Sequence, residues 1–334
     1  MKRFWRIVSY HQRPVIILLL AMSPASIQVT QAQHYPSRPI TMIVPFAPGG
    51  SVDTLARILA ERMKSTLGQP IVVENIPTAA GTVGVGRLAQ AAPDGYTISI
   101  GDQTSNVVSS LTSAARYDVL EDFEPISLLT TSPATLIARK TMQAPDLKQL
   151  IVWLRENPEG ATAASFGQGS GPHIVSLAFQ RLTGTKFRIA TYRGVAPAIQ
   201  DLVGGQIDLM FVEQTTMIPH LSAGAIKAYA VLSKSRSAAM PEVPTMEEAG
   251  GPPLHVVTWR GMWVPKRTPS HITSRLGSAV VEALSDAAVQ KRIADVGQEI
   301  VPRALQTPQA LAAHHKAEIE KWTPLVKAAN VKVE

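Results

Sequence analysis

Short apolar runs alternate with amphipathic runs along most of the chain. The apolar run 40–46 predicts a buried strand, and the run 53–68 predicts a helix with apolar residues at helical spacing. The apolar face of that helix consists of Leu55, Ile58, Leu59, Met63 and Leu67. The same alternation continues to residue 102 and returns between residues 146 and 213. Strands that alternate with helices indicate βαβ units around a parallel sheet, so the pattern predicts an α/β fold.

Two passages interrupt this alternation. The strand-like runs 126–131 and 134–139 follow each other with no helix between them, and 254–265 is one unusually long strand-like run. A chain that crosses twice between two α/β lobes, with the second lobe inserted into the first, explains both passages. The expected lobe boundaries are 33–137 and 259–334 for lobe 1, and 138–258 for lobe 2. The cleft between the lobes is then the expected ligand site.

The first 32 residues have the pattern of a secretory signal peptide. Four basic residues and no acidic ones precede the apolar run 14–22, and small residues follow at Thr30 and Ala32. The other interpretation, a membrane anchor, is disfavoured because nine apolar residues are too few to span a bilayer core of about 30 Å. We therefore predict an exported protein that is cleaved near Ala32.

Charge and composition exclude several classes of function. The 334 residues carry a formal net charge of +7, and cleavage would remove four positive charges and leave +3. No basic stripe interleaved with aromatic residues is evident, so we expect no nucleic-acid partner. The absence of cysteine excludes disulfides, thiolate catalysis and cysteine-type zinc sites.

Three strand-to-helix turns share an unusual composition. Residues 45–53 (PFAPGGSVD), 76–84 (IPTAAGTVG) and 165–173 (SFGQGSGPH) are rich in Gly, Pro, Ser and Thr. Helix N-termini leave backbone N–H groups unpaired and carry a partial positive charge, and a glycine-rich approach lets a carboxylate or phosphate reach them. One such turn indicates no more than a turn and cap, but three of them across two lobes favour an anion site.

Two side chains in these turns have structural interpretations as well. We expect Asp53 to be the N-cap of the first helix, because its carboxylate would repel an anionic ligand. His173 is either a ligand contact or a solvated capping imidazole, and the sequence leaves both open.

Motifs for other chemistry fail their context tests. The G-x-G-x-x-A match at 84–89 lies inside a helical run instead of the turn that opens it, so it does not indicate dinucleotide binding. There is no Walker A lysine, G-x-S-x-G elbow or H-E-x-x-H sequence, and His314 and His315 are interpreted as a solvated helix face. We expect no cofactor, no metal and no catalysis.

Several long segments occur in an order that is specific to one family. They are YPSRPITMIVPFAPGGSVDTLAR, LGQPIVVEN, AAPDGYT, YDVLEDFEPIS, the run 192–211 and MPEVPTMEEAG. With these segments the chain resembles the extracytoplasmic substrate-binding proteins of tripartite tricarboxylate transporters, the TctC or Bug family. The resemblance implies a type II periplasmic-binding-protein fold, with two α/β lobes that close on a small carboxylate in a central ligand cleft. It also implies a periplasmic monomer that delivers its ligand to the membrane subunits of a secondary transporter.

The resemblance also assigns ligand contacts. In the first turn and in the second-lobe turn they are Ala47, Pro48, Gly49, Gly50, Ser51, Ser165, Gly167, Gly169, Ser170 and His173. The remaining predicted ligand contacts are Gly81, Thr82, Thr104, Arg193, Glu213 and Arg260.

The chain departs from the family pattern at several of these places. Ile76, Ala80 and Thr82 stand where the family commonly has arginine, glycine and asparagine. Glu213 replaces a usual aspartate, and Arg260 replaces a common aromatic residue. Arg260 could grip a second carboxylate bidentately, pair with Glu213 or face solvent, and the sequence leaves these alternatives open.

The expected function is capture of a mono-, di- or tricarboxylate, aromatic ones included, for a tripartite tricarboxylate-type transporter. Two alternatives remain at this point. One is a ligand sensor that presents its bound state to a signalling partner, and the other is an exported α/β enzyme that acts on an anionic substrate.

Overall fold

A computed structural model describes Met1 and residues 35–77, 81–112, 117–167 and 170–329. The predicted signal peptide, apart from Met1, lies outside the described residues. The described residues from Tyr35 onward form one compact unit. The predicted lobe boundaries therefore stay a prediction.

The alternation of strands and helices predicted from the sequence is confirmed. The strands are β1 (Ile40–Val44), β2 (Ile71–Asn75), β3 (Thr97–Asp102), β4 (Phe123–Arg139), β5 (Thr162–Ser165), β6 (Arg188–Thr191), β7 (Leu209–Glu213), β8 (Ile226–Val231), β9 (Val257–Pro265) and β10 (Glu299–Ile300). The helices are α1 (Ser51–Leu67), α2 (Thr82–Ala89), α3 (Ser109–Thr112), α4 (Leu147–Glu156), α5 (Gly171–Thr183), α6 (Val195–Val203), α7 (Gln214–Ser222), α8 (Ser270–Ser285), α9 (Ala287–Asp295) and α10 (Pro308–Ala329). A π-helical turn, Thr104–Val108, follows β3, and a 3₁₀ turn, Arg303–Leu305, precedes α10.

The strands form one continuous sheet with two parallel halves. Its order is β2-β1-β3-β9-β4-β7-β5-β6, with β8 and β10 paired to β4. In the first half β1 is parallel to β2 and β3, and in the second half β5 is parallel to β6 and β7. Ligand sites in open α/β sheets lie at the carboxyl ends of parallel strands. The turns after these strands are therefore the places at which to look for a site.

Strands β4 and β9 join the two halves. The strand-like runs predicted at 126–131 and 134–139, with no helix between them, form one strand, because β4 stays extended through Pro133. Up to Pro133 the strand pairs with β9, and from Ala134 onward it pairs with β7 and β8. Proline fits an extended backbone, and it lies here where the strand changes partner.

The long C-terminal helix α10 covers these central strands with a buried aromatic and histidine cluster. His315 is only 2% exposed, and its Nε2 donates a hydrogen bond to the backbone oxygen of Asn106 at 2.7 Å. Glu318 accepts hydrogen bonds from the indole N–H groups of Trp259 and Trp322 at 3.3 and 3.1 Å.

The interpretation of His314 and His315 as a solvated helix face was therefore wrong. Residues three, four and seven apart share a helix face, so His315, Glu318 and Trp322 turn toward the sheet together. The tryptophan in this spacing was the sequence signal for a buried face. Among the helices of the described ranges, none is long and apolar enough to cross a membrane.

The burial of His315 leads to a prediction about stability and pH. Burial lowers the pKa of His315, although its hydrogen bond to Asn106 partly opposes this shift. When the pKa of a histidine is lower in the folded protein than in the unfolded chain, the unfolded chain binds protons more readily. The free energy of unfolding therefore decreases below about pH 6.5, the ordinary pKa of histidine. The stability that neutral His315 contributes is therefore fully present above that pH and is lost as the pH falls.

We expect His315→Gln to weaken this dependence, because glutamine does not titrate. The measurement is the melting temperature of wild type and variant at pH 7.5 and pH 5, where the wild type should lose more. The matched control is His271→Gln, at an exposed position near the start of α8. Equal losses in wild type and His315→Gln would contradict the assignment.

Candidate functional site

The first candidate turn leads directly into α1. The helix begins at Ser51, with Gly50 as its N-cap and no side-chain cap hydrogen bond. Gly49 lies in the left-handed region at φ +84°, which glycine adopts without strain. The N-terminal N–H groups of α1 are thus approached by a backbone with little side-chain bulk.

Asp53 holds this turn in shape, but it is not the N-cap. The prediction was wrong because α1 begins two residues earlier than the apolar pattern indicates, which places Asp53 at the third helical position. Its carboxylate accepts hydrogen bonds from the Gly49 N–H at 2.8 Å, from Asn75 Nδ2 at 2.8 Å and from Arg57 Nε at 3.0 Å. Burial alone would raise the pKa of Asp53, but these hydrogen bonds outweigh it and lower the pKa below its ordinary value.

The second candidate turn packs tightly against the first. Gly81 is the N-cap of α2 at φ +82°, and Thr82 is the first residue of that helix. A Cβ atom on Gly81 would lie 2.9 Å from the Ser105 Cβ and 3.0 Å from the Pro45 Cβ. Gly84 meets the same Pro45 from inside α2, where a Cβ would lie 2.9 Å from the Pro45 Cα. The G-x-G-x-x-A match therefore serves helix packing, as its helical context indicated.

The third strand of the first half ends at a buried carboxylate. Asp102 accepts hydrogen bonds from the N–H of Ser105 and from its hydroxyl at 3.0 and 3.3 Å, which fix the start of the π-helical turn. Burial, and to a smaller extent the nearby charge of Glu213, raise the pKa of Asp102 to about 6. The cation of Arg260 and hydrogen bonds from the backbone of Ser105 and Thr104 act in the opposite direction.

The third candidate turn, 165–173, is called the second-lobe turn because it belongs to the predicted lobe 2. It lies against the first half of the sheet. Ser165 ends β5, Gly167 has φ +115°, and Ser170 is the N-cap of α5 without a side-chain cap hydrogen bond. A Cβ atom on Gly171 would lie 3.7 Å from Thr104 Oγ1, so the N-terminus of α5 faces the end of β3. Gly169 lies outside the described residues. His173 is half-buried in the first turn of α5, and burial lowers its pKa.

Arg260 lies between the two halves of the sheet. Its side chain is fully buried, and its Nη2 donates hydrogen bonds to Ser51 Oγ at 2.9 Å and to Glu213 Oε2. Asp102 and Thr130 are its cross-strand neighbours on β3 and β4. The guanidinium thus joins the start of α1 to the end of β7. Of the three alternatives from the sequence, the structure places Arg260 in an ion pair with Glu213 and excludes a solvent-facing position.

Some nitrogen atoms of this guanidinium have no partner. Nε and Nη1 of Arg260 are buried and make no hydrogen bond within the described residues. The carboxylate of Glu213, in contrast, is partly open, with 22% of its side chain exposed. The accessible charge at this point is therefore that of Glu213.

Two polar side chains that the sequence analysis missed support Ser51. Gln298 Nε2 donates a hydrogen bond to the backbone oxygen of Ser51 at 3.0 Å, and Thr130 Oγ1 donates to Gln298 Oε1 at 2.7 Å. Both are buried, and neither lies in a motif, so no sequence signal marked them. Gln298 also lines a depression of about 590 Å³ beside α8 and α9, to which none of the three candidate turns contributes a lining residue.

Three other predicted contacts lie at exposed positions, two of them in the first turn. Ala47 and Pro48 are exposed in the first turn, and Arg193 is exposed in the turn between β6 and α6. The structure brings Ser51, Arg260 and Glu213 into contact and sets Thr104 against the start of α5. Contact of any of the predicted residues with a ligand stays a prediction. Across the described ranges, no group of three His, Asp or Glu side chains could hold a metal ion.

The two N-cap glycines make a matched pair for a stability test. Gly81→Ala places a Cβ in a left-handed conformation and against Ser105 and Pro45, so we expect a loss on the order of 2 kcal/mol in unfolding free energy. Gly50→Ala is the control, because φ is −77° there and a Cβ would meet only the Ala47 oxygen at 3.7 Å. Thermal melts should show a lower melting temperature for Gly81→Ala alone. Equal melting temperatures would show that Gly81 is not needed for packing.

Comparisons with known proteins agree with this architecture. A model of the family described as tripartite tricarboxylate transporter family receptor matches residues 55–331. Protein BugT of Bordetella pertussis is 34% identical over 304 residues, which cover 90% of this chain and 92% of BugT.

Two solved structures extend the similarity to the fold. The periplasmic binding protein BugD is 36% identical with a TM-score of 0.82, and the match covers 90% of this chain and 100% of BugD. MatC from Rhodopseudomonas palustris with bound malate is 35% identical with a TM-score of 0.81, covering 87% of this chain and 100% of MatC. The predicted type II periplasmic-binding-protein fold is confirmed by these likenesses. The family model describes a receptor, and BugD is described as a periplasmic binding protein.

Proposed function

Because the chain belongs to the tripartite tricarboxylate transporter receptor family, we propose that it is a periplasmic solute-binding protein for a small organic carboxylate. The observation that carries this proposal is the convergence of turns from both halves of the sheet. Arg260 joins Ser51 of the first turn to Glu213 at the end of β7, and Thr104 lies against the start of α5. The malate in the MatC structure supports a carboxylate as the ligand.

The chemistry of the turns suits such a ligand. The N-termini of α1 and α5 both have N-caps without a side-chain hydrogen bond, at Gly50 and Ser170. A carboxylate can accept hydrogen bonds from such N–H groups, and the helix dipole favours its negative charge. The ligand in this proposal lies between the two helix starts, with the hydroxyl groups of Ser51 and Ser170 beside it.

In this proposal the two lobes, 33–137 with 259–334 and 138–258, close on the ligand. The crossing strands β4 and β9 are the connections about which they move. The closed form then delivers its carboxylate to the membrane subunits of a tripartite transporter. Residues 1–32 direct export, and the mature protein acts as a monomer.

Ligand binding to the folded state alone stabilises it, which gives the direct test. A ligand at one hundred times its Kd stabilises by about 2.7 kcal/mol. We expect members of a panel of mono-, di- and tricarboxylates, aromatic ones included, to raise the melting temperature of the mature protein. Nucleotides and uncharged sugars serve as controls. A nucleotide that raises the melting temperature while every carboxylate fails would refute the proposal.

The role of the first turn can be tested at Gly50. We expect Gly50→Val to keep the fold, because φ −77° and ψ 173° suit a β-branched residue. It should weaken carboxylate binding about tenfold or more, since the side chain crowds the N–H groups of α1. The readout is the Kd from calorimetry with the best ligand of the panel.

The matched control is Gly277→Val on α8, where a Cβ meets nothing nearer than Ile126 Cγ2 at 4.0 Å. Unchanged affinity in Gly50→Val, with both variants folded, would remove the first turn from the site.

A further inference from the structure

The ion pair between Glu213 and Arg260 bears on which carboxylates the site accepts. An arginine in a ligand cleft invites the interpretation that it grips a second carboxylate of the ligand. The described structure argues against that role here. The guanidinium of Arg260 is fully buried, and its only hydrogen bonds in the described residues go to Ser51 and Glu213.

The two guanidinium nitrogen atoms that lack partners do not make Arg260 available to a ligand. Nε and Nη1 of Arg260 have almost no surface open to solvent, so a ligand in the cleft cannot touch them in this conformation. Asp102, directly across the β3–β9 pair, is also buried and adds a second carboxyl group next to the guanidinium. The cation is thus surrounded by protein groups that already compensate its charge.

Glu213 is the member of the pair that a ligand can meet. It ends β7 and is the N-cap of α7, yet its side chain makes no cap hydrogen bond and turns to Arg260 instead. Its Oε2 accepts from Arg260, while Oε1 has no hydrogen-bond partner within the described residues, and 22% of the side chain is exposed. Ser51, the first residue of α1, bonds to the same Nη2, so Oε1 of Glu213 lies within reach of the far end of a ligand whose carboxylate is held at the start of α1.

From this geometry we propose that Glu213 makes the site selective for monocarboxylates whose far end carries a hydrogen-bond donor, a hydroxyl or an ammonium group. The proposal rests on the proposed function and names the ligand class for that same site. A donor at the far end bonds to Oε1 of Glu213. A second carboxylate at the same place meets a like charge, which disfavours it. Arg260 holds the Glu213 carboxylate in position and does not contact the ligand.

The test compares ligands that differ only at the far end. The aliphatic set is butyrate, 4-hydroxybutyrate, 4-aminobutyrate and succinate, and the aromatic set is 4-hydroxybenzoate and terephthalate. The set with the larger thermal shift is carried into calorimetry. We expect the hydroxyl or ammonium form to bind about tenfold or more tightly than the matching dicarboxylate, a factor that corresponds to 1.4 kcal/mol. Succinate or terephthalate binding as tightly as its donor-bearing match would overturn the proposal.

The variant Glu213→Gln tests the residue itself. Glutamine keeps an acceptor for Arg260 and removes the negative charge, so the preference for the donor-bearing ligand should fall about tenfold and dicarboxylates should gain affinity. Glu282→Gln on α8 is the matched control, because it removes the same charge from an ion pair with Arg62 of α1, in which the Glu282 side chain is 53% exposed. An unchanged preference in folded Glu213→Gln would overturn the proposal, and the wild-type comparison decides it if that variant does not fold.

These outcomes separate the inference from the proposed function. If dicarboxylates bind best, the selectivity is wrong while carboxylate capture stands. If neither these sets nor the wider carboxylate panel raises the melting temperature, the proposed function fails and the selectivity fails with it.

Discussion

One buried cation holds together the part of the molecule where the halves of the sheet meet. Arg260 lies on the crossing strand β9, and its guanidinium contacts the first residue of α1 and the last residue of β7. Removing one partner from a buried ion pair typically costs 3–5 kcal/mol, because the remaining charge is left uncompensated. The positions of Ser51 and Glu213 are therefore tied to each other through this one side chain, although more than 150 residues separate them in the chain.

The same cation sets the electrostatics at the carboxyl ends of the strands. Asp102 and Glu213 place two carboxyl groups next to one guanidinium. Burial and the charge of Glu213 raise the pKa of Asp102 to about 6. The negative charge of a bound ligand would add to the two carboxyl groups that already share one guanidinium, unless a helix N-terminus compensates it. The turns before α1 and α5 supply that compensation through backbone N–H groups, which need no cationic side chain.

The fold could be predicted from the sequence to the extent that it follows from local periodicity. The apolar alternation predicted the α/β class and most elements, and the family motifs predicted the fold. Both patterns are formed by residues that are contiguous in the chain. The errors occurred where a boundary depends on distant partners. α1 begins at Ser51 and not at Asp53, because its start is fixed by Asn75 and Gly49 through the Asp53 carboxylate. The burial of His315 depends on Trp259, which is 56 positions earlier in the chain. In the same way, the pairing of Arg260 with Glu213 was one alternative among three until the topology placed β7 and β9 beside β4.

The first of the two turns that are proposed to hold the ligand is preorganised by a side chain. In the first turn a single carboxylate, Asp53, fixes the Gly49 N–H and is itself held by Arg57 and Asn75. In the described part of the second-lobe turn, the Phe166 N–H donates to Ser170 Oγ at 3.3 Å and the Ser170 N–H donates to the Gly167 oxygen at 3.2 Å. Ordering a loop on binding reduces affinity, so a turn that already has its final shape adds more to binding than one that must be ordered. The first turn is therefore a part of the proposed site whose shape is fixed by side-chain contacts before a ligand binds.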